Sequence, residues 1–355
     1  MAKVRINRQM ITAGIVGNIM EWYDFAVYGY FAPVIGQQFF PSDDPTASVI
    51  AAFGVFAAGF LMRPIGSLVF GHVGDKLGRR HALTLSVILM ALPTFFIGLL
   101  PGHATIGAAA AVLLVVMRML QGLSVGGEYT TSMVFLVEHS PPDRRAFVGC
   151  WSVWGAVAGI LLGSAVGALI TNVMPADQVA AWGWRMPFLF GISIGLPGFY
   201  LRRQNRGEES APADRPKSPV IEAFRTEWRA MLKIAGFNLV NATGFYLCFV
   251  YVTTWLQETA HVSSARALDI NSVNMALFLL FIPLAALLAD RFGRKPLLIT
   301  GVTGLLLLAY PLFALMHHSE TKMIFLGQFG FVVVMSLIFG TYPVTMVEMV
   351  SPRVR

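Results

Sequence analysis

Charge is what this sequence has least of. Asp, Glu, Lys and Arg make up 13% of its 355 residues, where a soluble domain carries about a quarter. The shortfall excludes an ordinary water-solvated globule. Cysteine is scarce as well. Cys150 and Cys248 lie alone in apolar stretches, so neither a disulfide framework nor a metal cluster follows from them. None of the seven histidines has a partner at metal-ligand spacing, and the adjacent His317 and His318 read as a solvated turn. No Ser/His/Asp or Cys/His arrangement stands out, so the chain is read as a non-enzyme. The start of the sequence is expected to be a first span rather than a cleavable leader. The short basic stretch Met1 to Gln9 precedes an apolar run too long for a signal peptide and without a small-residue cleavage site.

What fills the chain instead is hydrophobic sequence, 56% of it, in runs near 20 residues. That pattern is an all-α polytopic membrane protein; a β-barrel would show short alternating segments. Spans are expected near 11–39, 47–73, 82–100, 106–138, 147–173, 184–201, 232–257, 268–289, 297–317 and 322–349. The long fourth and tenth are expected to protrude or tilt. Residues 202–231 carry mixed charge with Pro212, Pro216 and Pro219 and read as a linker. It divides a six-helix bundle, 1–201, from an incomplete four-helix bundle, 232–355. Ile221, Phe224, Trp228 and Met231 have helical spacing, so Val220 to Lys233 is either a helix along the membrane surface or plain solvated linker.

The formal charge of +7 is not a nucleic-acid footprint, because of where it lies. Of 26 Lys and Arg residues, all but Arg63, Arg118, Arg185, Arg266 and Lys322 fall at the N-terminus or on alternate loops. That asymmetry places the N-terminus and those loops in the cytoplasm.

One element is duplicated. Gly71-His-Val-Gly-Asp75-Lys-Leu-Gly-Arg79-Arg80 recurs as Leu287-Leu-Ala-Asp290-Arg291-Phe-Gly-Arg294-Lys295, each between apolar spans. Two similar halves in a membrane usually form a solute pathway between them. The halves are unequal. About four spans follow the first copy and two the second, and the chain stops on Ser-Pro-Arg-Val-Arg. The duplication therefore predicts a truncated chain with roughly 60 residues, or two spans, absent beyond residue 355.

Ionisable groups inside spans are costly and mark pathways. Glu21 and Asp24 are three apart and share a helix face with Asn18 and Tyr28. Arg63 precedes Pro64. Arg118 lies beside a stripe holding Gln121 and Glu128. In one reading the arginines fix these acids in ion pairs that orient helices. In the other, Glu21, Asp24 or Glu128 gains and loses a proton, since burial and a nearby arginine push an acid's affinity in opposite directions. Gly122 to Glu128 superficially resembles a nucleotide loop but lacks the lysine and the strand–turn–helix context. Close helix packing explains it, as it explains Gly155, Gly159, Gly163 and Gly167. Trp151, Trp154, Tyr246 and Tyr251 are apolar bulk or, in a cavity, rings that hold a quaternary ammonium.

These motifs resemble a known family. The paired turns and Arg118-x-x-Gln121-Gly122 are similar to signatures of the major facilitator superfamily. Gly17-Asn18-x-x-Glu21-Trp22-Tyr23-Asp24-Phe25, Arg63-Pro64-x-Gly66 and Gly126-Gly127-Glu128-Tyr129-Thr130 resemble its metabolite:proton symporter family. Trp182-Gly183-Trp184-Arg185-x-Pro187-Phe188 and Tyr342-Pro343-x-x-x-x-Glu348 fit it too, and the whole looks most like proline/betaine transporters. The resemblance implies a twelve-helix, two-bundle fold, about ten helices of it present. It implies symport of a small solute with protons, alternatively of an organic acid such as 2-oxoglutarate, citrate or shikimate. A non-transporting remnant or membrane sensor is the other alternative. It implies a proton site among Glu21, Asp24 and Glu128, and a cavity lined by Asn18, Tyr28, Arg63, Arg118, Gln121, Trp154 and Tyr246. Asp75, Arg79 and Arg80 would form a cytoplasmic gate, with Asp290, Arg291 and Arg294 as counterpart and Glu138 and Arg144 in the same network. The loose Glu208-Glu209-Ser210-Ala211-Pro212 departs from the family's linker motif, and Asp75 would pack against a helix beyond residue 355. The expected setting is the inner (plasma) membrane. The expected partners are solute, protons and lipid, with no cofactor, metal or nucleic acid and a monomeric state.

Overall fold

In hydrocarbon each backbone N–H and C=O must find a partner within the chain, so apolar segments of this length fold as helices. The computed structural model describes residues 8–77, 79–193, 224–318 and 320–351, and every regular element among them is helical. The first three are α1 (Arg8–Phe39), α2 (Pro45–Leu77) and α3 (Arg79–Leu99). Then come α4 (Ala108–Glu138), a 3-10 turn Pro142–Arg144, and α5 (Arg145–Val173). A 3-10 turn Gly183–Arg185 leads into α6, described over 186–193. α7 is composite: Trp228–Phe245, a π-helical turn Tyr246–Tyr251, and Val252–Glu258. α8 (Ser264–Phe292), α9 (Arg294–Met316) and α10 (Thr321–Glu348) complete it.

The expected spans match these helices to about a turn at each end. Residues 194–223 lie outside the described residues, and with them the end of the sixth span and most of the expected linker. The later part of the expected surface helix, Trp228 to Lys233, is the opening of α7. Among the described residues, seven helical segments are long and apolar enough to cross a membrane: Pro45–Val73, Ala108–Glu138, Pro142–Val173, Trp228–Gln257, Arg266–Phe292, Arg294–Met316 and Thr321–Glu348. α1 matches them in length and carries Asn18, Glu21 and Asp24 within it. On α9, Leu306, Leu307 and Tyr310 are exposed, apolar surface suited to lipid.

Packing divides the chain into two units. Of the described residues, one comprises those within 8–132 and 155–193, and the other those within 133–154 and 224–351. In the first, the glycine stripe of α5 lies against α1. A Cβ added at Gly159 would stand 2.5 Å from the Ile19 carbonyl oxygen, and one at Gly163 2.7 Å from Ala26 Cβ. The stripe meets Asn18, Trp22, Ala26 and Tyr30, residues also four apart, so ridges of the same spacing interlock. At 100° per residue this leaves Glu21, Asp24 and Tyr28 on the other side of α1. α4 approaches α2 as closely. A Cβ at Gly122 or Gly126 would collide with the carbonyl of Gly59 or Arg63. Arg185 closes the end of α3 by donating to the Leu100 and Gly98 carbonyls at 2.5 and 3.3 Å, and Trp184 beside it is buried with Phe39 and Phe188.

In the second unit, α7, α8 and α10 share a buried amide group. Gln328 Nε2 donates to Asn271 Oδ1 at 2.5 Å and to the Cys248 carbonyl at 3.3 Å, and Asn274 Nδ2 donates to Gln328 Oε1 at 3.2 Å. The Cys248 carbonyl belongs to the π-helical turn, where displaced backbone groups can be met by a neighbouring side chain.

Candidate functional site

The α1 face turned away from α5 carries Asp24, and α3 and α4 supply its partners. Asp24 Oδ2 accepts from Arg118 Nη1 at 2.5 Å. Asp24 Oδ1 accepts from Gln121 Nε2 at 2.9 Å and from the Thr94 hydroxyl at 3.0 Å. Arg118 and Gln121 are three apart on α4, so one face presents both, and Arg118 Nη1 also donates to Gln121 Oε1 at 2.9 Å. The second Gln121 amide hydrogen goes to Thr94 Oγ1 at 2.7 Å. None of the four residues is more than 2% exposed. A buried ion pair gains little over an apolar one unless its remaining hydrogen-bonding capacity is filled, and here the carboxylate accepts three bonds.

Aromatic rings flank the cluster. The Arg118 guanidinium carbon lies 3.7 Å from the centroid of the Tyr28 ring, and the Tyr28 hydroxyl donates to the Ala52 carbonyl at 2.9 Å. Arg63 rests over Phe60 at 3.9 Å and Phe25 at 4.7 Å. Phe56 joins the two sets, 5.8 Å from Tyr28 and 5.2 Å from Phe60. Glu21 is 1% exposed on the same helix. Asn18 donates to Ser132 Oγ at 3.0 Å. The Glu128 side chain lies outside the described residues, within α4.

Of the expected cavity residues, Tyr28, Arg63, Arg118 and Gln121 thus surround or adjoin Asp24. Two lie elsewhere. Trp154, half-buried on α5, donates its indole N–H to the Leu279 carbonyl of α8 at 2.9 Å. Tyr246 opens the π-helical turn and is 44% exposed. Thr94 and Ser132 were not anticipated. A lone hydroxyl in an apolar span is a weak signal, though Thr94 follows Pro93, where the helix loses a backbone donor.

The expected gate divides similarly. Asp75 falls in the last turn of α2 and Arg79 and Arg80 in the first of α3; their side chains lie outside the described residues. Asp290 caps α5, its two oxygens accepting the N–H groups of Ala146 and Phe147 at 2.9 and 2.8 Å. A carboxylate there meets the unsatisfied donors and positive end of the helix dipole. Arg294 Nη2 donates to Glu348 Oε1 at 3.1 Å, and Arg145 Nη1 approaches the same oxygen at 3.5 Å. Arg144, the neighbour of Arg145, ends the 3-10 turn, exposed. Glu138 ends α4, exposed, and Arg291 lies over the ring of Phe292 at 5.4 Å. Among the described residues no group of His, Cys, Asp or Glu could hold a metal ion.

Comparison with known proteins gives this geometry a lineage. The chain is 36% identical over 362 residues to a proline/betaine transporter of Salmonella typhimurium, covering 98% of this chain and 72% of that one. It is 36% identical over 365 residues, with the same coverage, to the glycine betaine/proline/ectoine/pipecolic acid transporter OusA of Dickeya dadantii. Among solved structures, the proton:xylose symporter XylE bound to 6-bromo-6-deoxy-D-glucose superposes with a TM-score of 0.72. That match has 18% identity and covers 96% of this chain and 80% of that chain. The partially occluded inward-open form of XylE from E. coli gives 0.65 at 20% identity, covering 96% and 83%. The Major Facilitator Superfamily model matches residues 14–355, and with relatives this similar along almost its whole length, the chain belongs to that superfamily.

Proposed function

We propose that the chain carries a small zwitterionic osmolyte of the proline/betaine kind, together with protons, across the cytoplasmic membrane as a monomer with its N-terminus inside. The observation that carries this reading is the buried Asp24 cluster. An acid that must cycle between charged and neutral forms needs hydrogen-bond partners in both. With Asp24 ionised, Arg118, Gln121 and Thr94 all donate to it. Thr94 has one hydroxyl hydrogen, and its oxygen also lies 2.8 Å from the Met90 carbonyl. When Asp24 takes a proton, Thr94 turns its own hydrogen to Met90 and accepts from the new O–H, so neither the acid nor the hydroxyl loses a partner. Arg118 then loses its counter-charge while still resting on Tyr28. It becomes available to a solute carboxylate, with the ring of Phe56 nearby for an ammonium. Proton and zwitterion are thereby taken up together, with no cofactor. The Asp290 cap and the Glu348 ion pairs, placed inside by the charge asymmetry of the loops, act as the gate.

The test is uptake by the purified chain in vesicles with an imposed proton gradient, across glycine betaine, proline, 2-oxoglutarate, citrate and shikimate. Uptake of the first two is expected. Preference for the dicarboxylates would move the assignment to organic acids. Asp24→Asn is expected to abolish accumulation against a gradient while sparing most counterflow, because exchange needs no net protonation cycle. Undiminished accumulation in that variant would remove Asp24 from the coupling path.

A further inference from the structure

Pro283 lies inside α8, and a proline has no N–H to give. In an α-helix that N–H would bond the carbonyl four residues earlier, here that of Leu279. The Leu279 carbonyl therefore lacks its helical donor, within a segment long and apolar enough to cross a membrane. Trp154 supplies the missing donor from α5, its Nε1 lying 2.9 Å from the oxygen. The indole is steadied by a row of rings on its own helix. Trp154 meets Trp151 edge-on at 5.3 Å, and Trp151 meets Phe147 at 6.0 Å. At the start of α5, Asp290 of α8 accepts the N–H groups of Ala146 and Phe147. The two helices are thus joined at two levels, roughly 11 Å apart along α5 at about 1.5 Å per residue. The lower junction is ionic and sits at a helix end. The upper one is neutral and lies inside both helices.

We propose that Trp154 is a positioning residue whose bond to the carbonyl vacated by Pro283 fastens α5 to α8, and that releasing this bond is a step of the transport cycle. The step rests on the transporter reading above; the fastening does not. An ordinary helical carbonyl is already occupied and gives a neighbouring indole little to hold. One freed by proline gives it a full hydrogen bond, and a proline-containing helix can bend at that point when the bond opens.

A native reporter lies one turn below. Cys150 is fully buried on α5, its thiol 3.1 Å from the carbonyl of Phe147, the residue whose N–H Asp290 accepts. Its alkylation by N-ethylmaleimide, in the full chain in vesicles and mapped by mass spectrometry, reads the separation of α5 from α8. Cys248, in the π-helical turn of α7, serves as internal control. Trp154→Phe keeps the ring and removes the donor. It is expected to raise the Cys150 rate about three- to fivefold, the effect of losing one net hydrogen bond in a membrane, with Cys248 unchanged. Pro283→Ala returns a helical donor to Leu279 and is expected to raise the Cys150 rate similarly. The double variant is expected to go no further than the larger single one.

Effects that multiply in the double variant, or an unchanged Cys150 rate in either single one, overturn the proposal. Should Trp154→Phe fail to fold, Pro283→Ala alone decides it, since unchanged Cys150 labelling there is equally fatal. Betaine counterflow in the same vesicles separates the two claims. If the unaltered chain shows none while the non-multiplying pattern stands, the transporter reading fails and the fastening survives. If counterflow is present and the effects multiply, the fastening fails alone.

Discussion

Asp24, Arg118, Gln121 and Thr94 form a buried cluster in which the one Thr94 hydroxyl hydrogen has two acceptors within reach, Asp24 Oδ1 and the Met90 carbonyl. On the proposed reading, Thr94 is the residue through which proton and hydrogen-bond pattern are linked. Thr94→Val keeps the shape but leaves a Gln121 N–H and an Asp24 lone pair short of a partner, a cost of about 1–3 kcal/mol for each stranded buried group. Accumulation driven by a proton gradient is expected to fall roughly tenfold, one such cost of about 1.4 kcal/mol, with counterflow less affected. Thr94→Ser keeps the hydroxyl and is expected to retain most activity; parallel uptake and counterflow assays check both. Equal loss in the serine and valine variants would mean that the methyl group matters and the hydroxyl does not. Asp24, Arg118 and Gln121 were legible in the sequence because ionisable and amide groups inside apolar runs stand out. Thr94 was not, because a threonine can satisfy itself on its own helix, as the Met90 contact illustrates. The partner of Trp154 was hidden more deeply. It is a backbone carbonyl 125 positions away, and only Pro283 marks it.

At the scale of elements, the spans were readable because a long apolar segment in lipid has to be a helix. Which helix meets which was not. The glycine stripe on α5 announced a close neighbour, yet nothing in its spacing named α1. A test of that pairing follows. Gly163→Ile would push a branched side chain toward Ala26 Cβ and the Tyr23 carbonyl, 2.7 and 2.8 Å from the first added carbon. Overpacking of this kind costs about 1–3 kcal/mol. A clear drop in thermal stability in detergent is expected, with loss of uptake as Asp24 is carried out of register with α4. Gly29→Ala is the control, since nothing lies within 4 Å of the added carbon, and its melting temperature is expected to stay the same or rise slightly. A melting temperature in Gly163→Ile equal to that of the control would remove the pairing. The π-helical turn of α7 had no counterpart in the sequence, because Tyr246 to Tyr251 is apolar at a spacing that also suits an ordinary helix.

For the whole molecule, the placement of Lys and Arg predicts that residues 76–81 and 202–231 face the cytoplasm and 41–46 the outside. Single cysteines at Ser210 and Asp43, treated in intact cells with an impermeant maleimide, are expected to label only at 43; labelling at 210 alone would invert the orientation. The membrane potential acts on the buried site as well. On the proposed reading, adding a proton at Asp24 leaves the cluster one positive charge richer in the interior of the membrane. A zwitterionic solute adds no net charge. On that reading the only charge moved per cycle is the proton's, and voltage does work on it of about 2.3 kcal/mol per 100 mV. With equal pH on both sides, a potassium diffusion potential set by valinomycin, negative inside, is expected to drive betaine accumulation by itself. Collapsing that potential should stop accumulation as completely as collapsing a pH gradient does, which makes the transporter an electrical device as much as a chemical one.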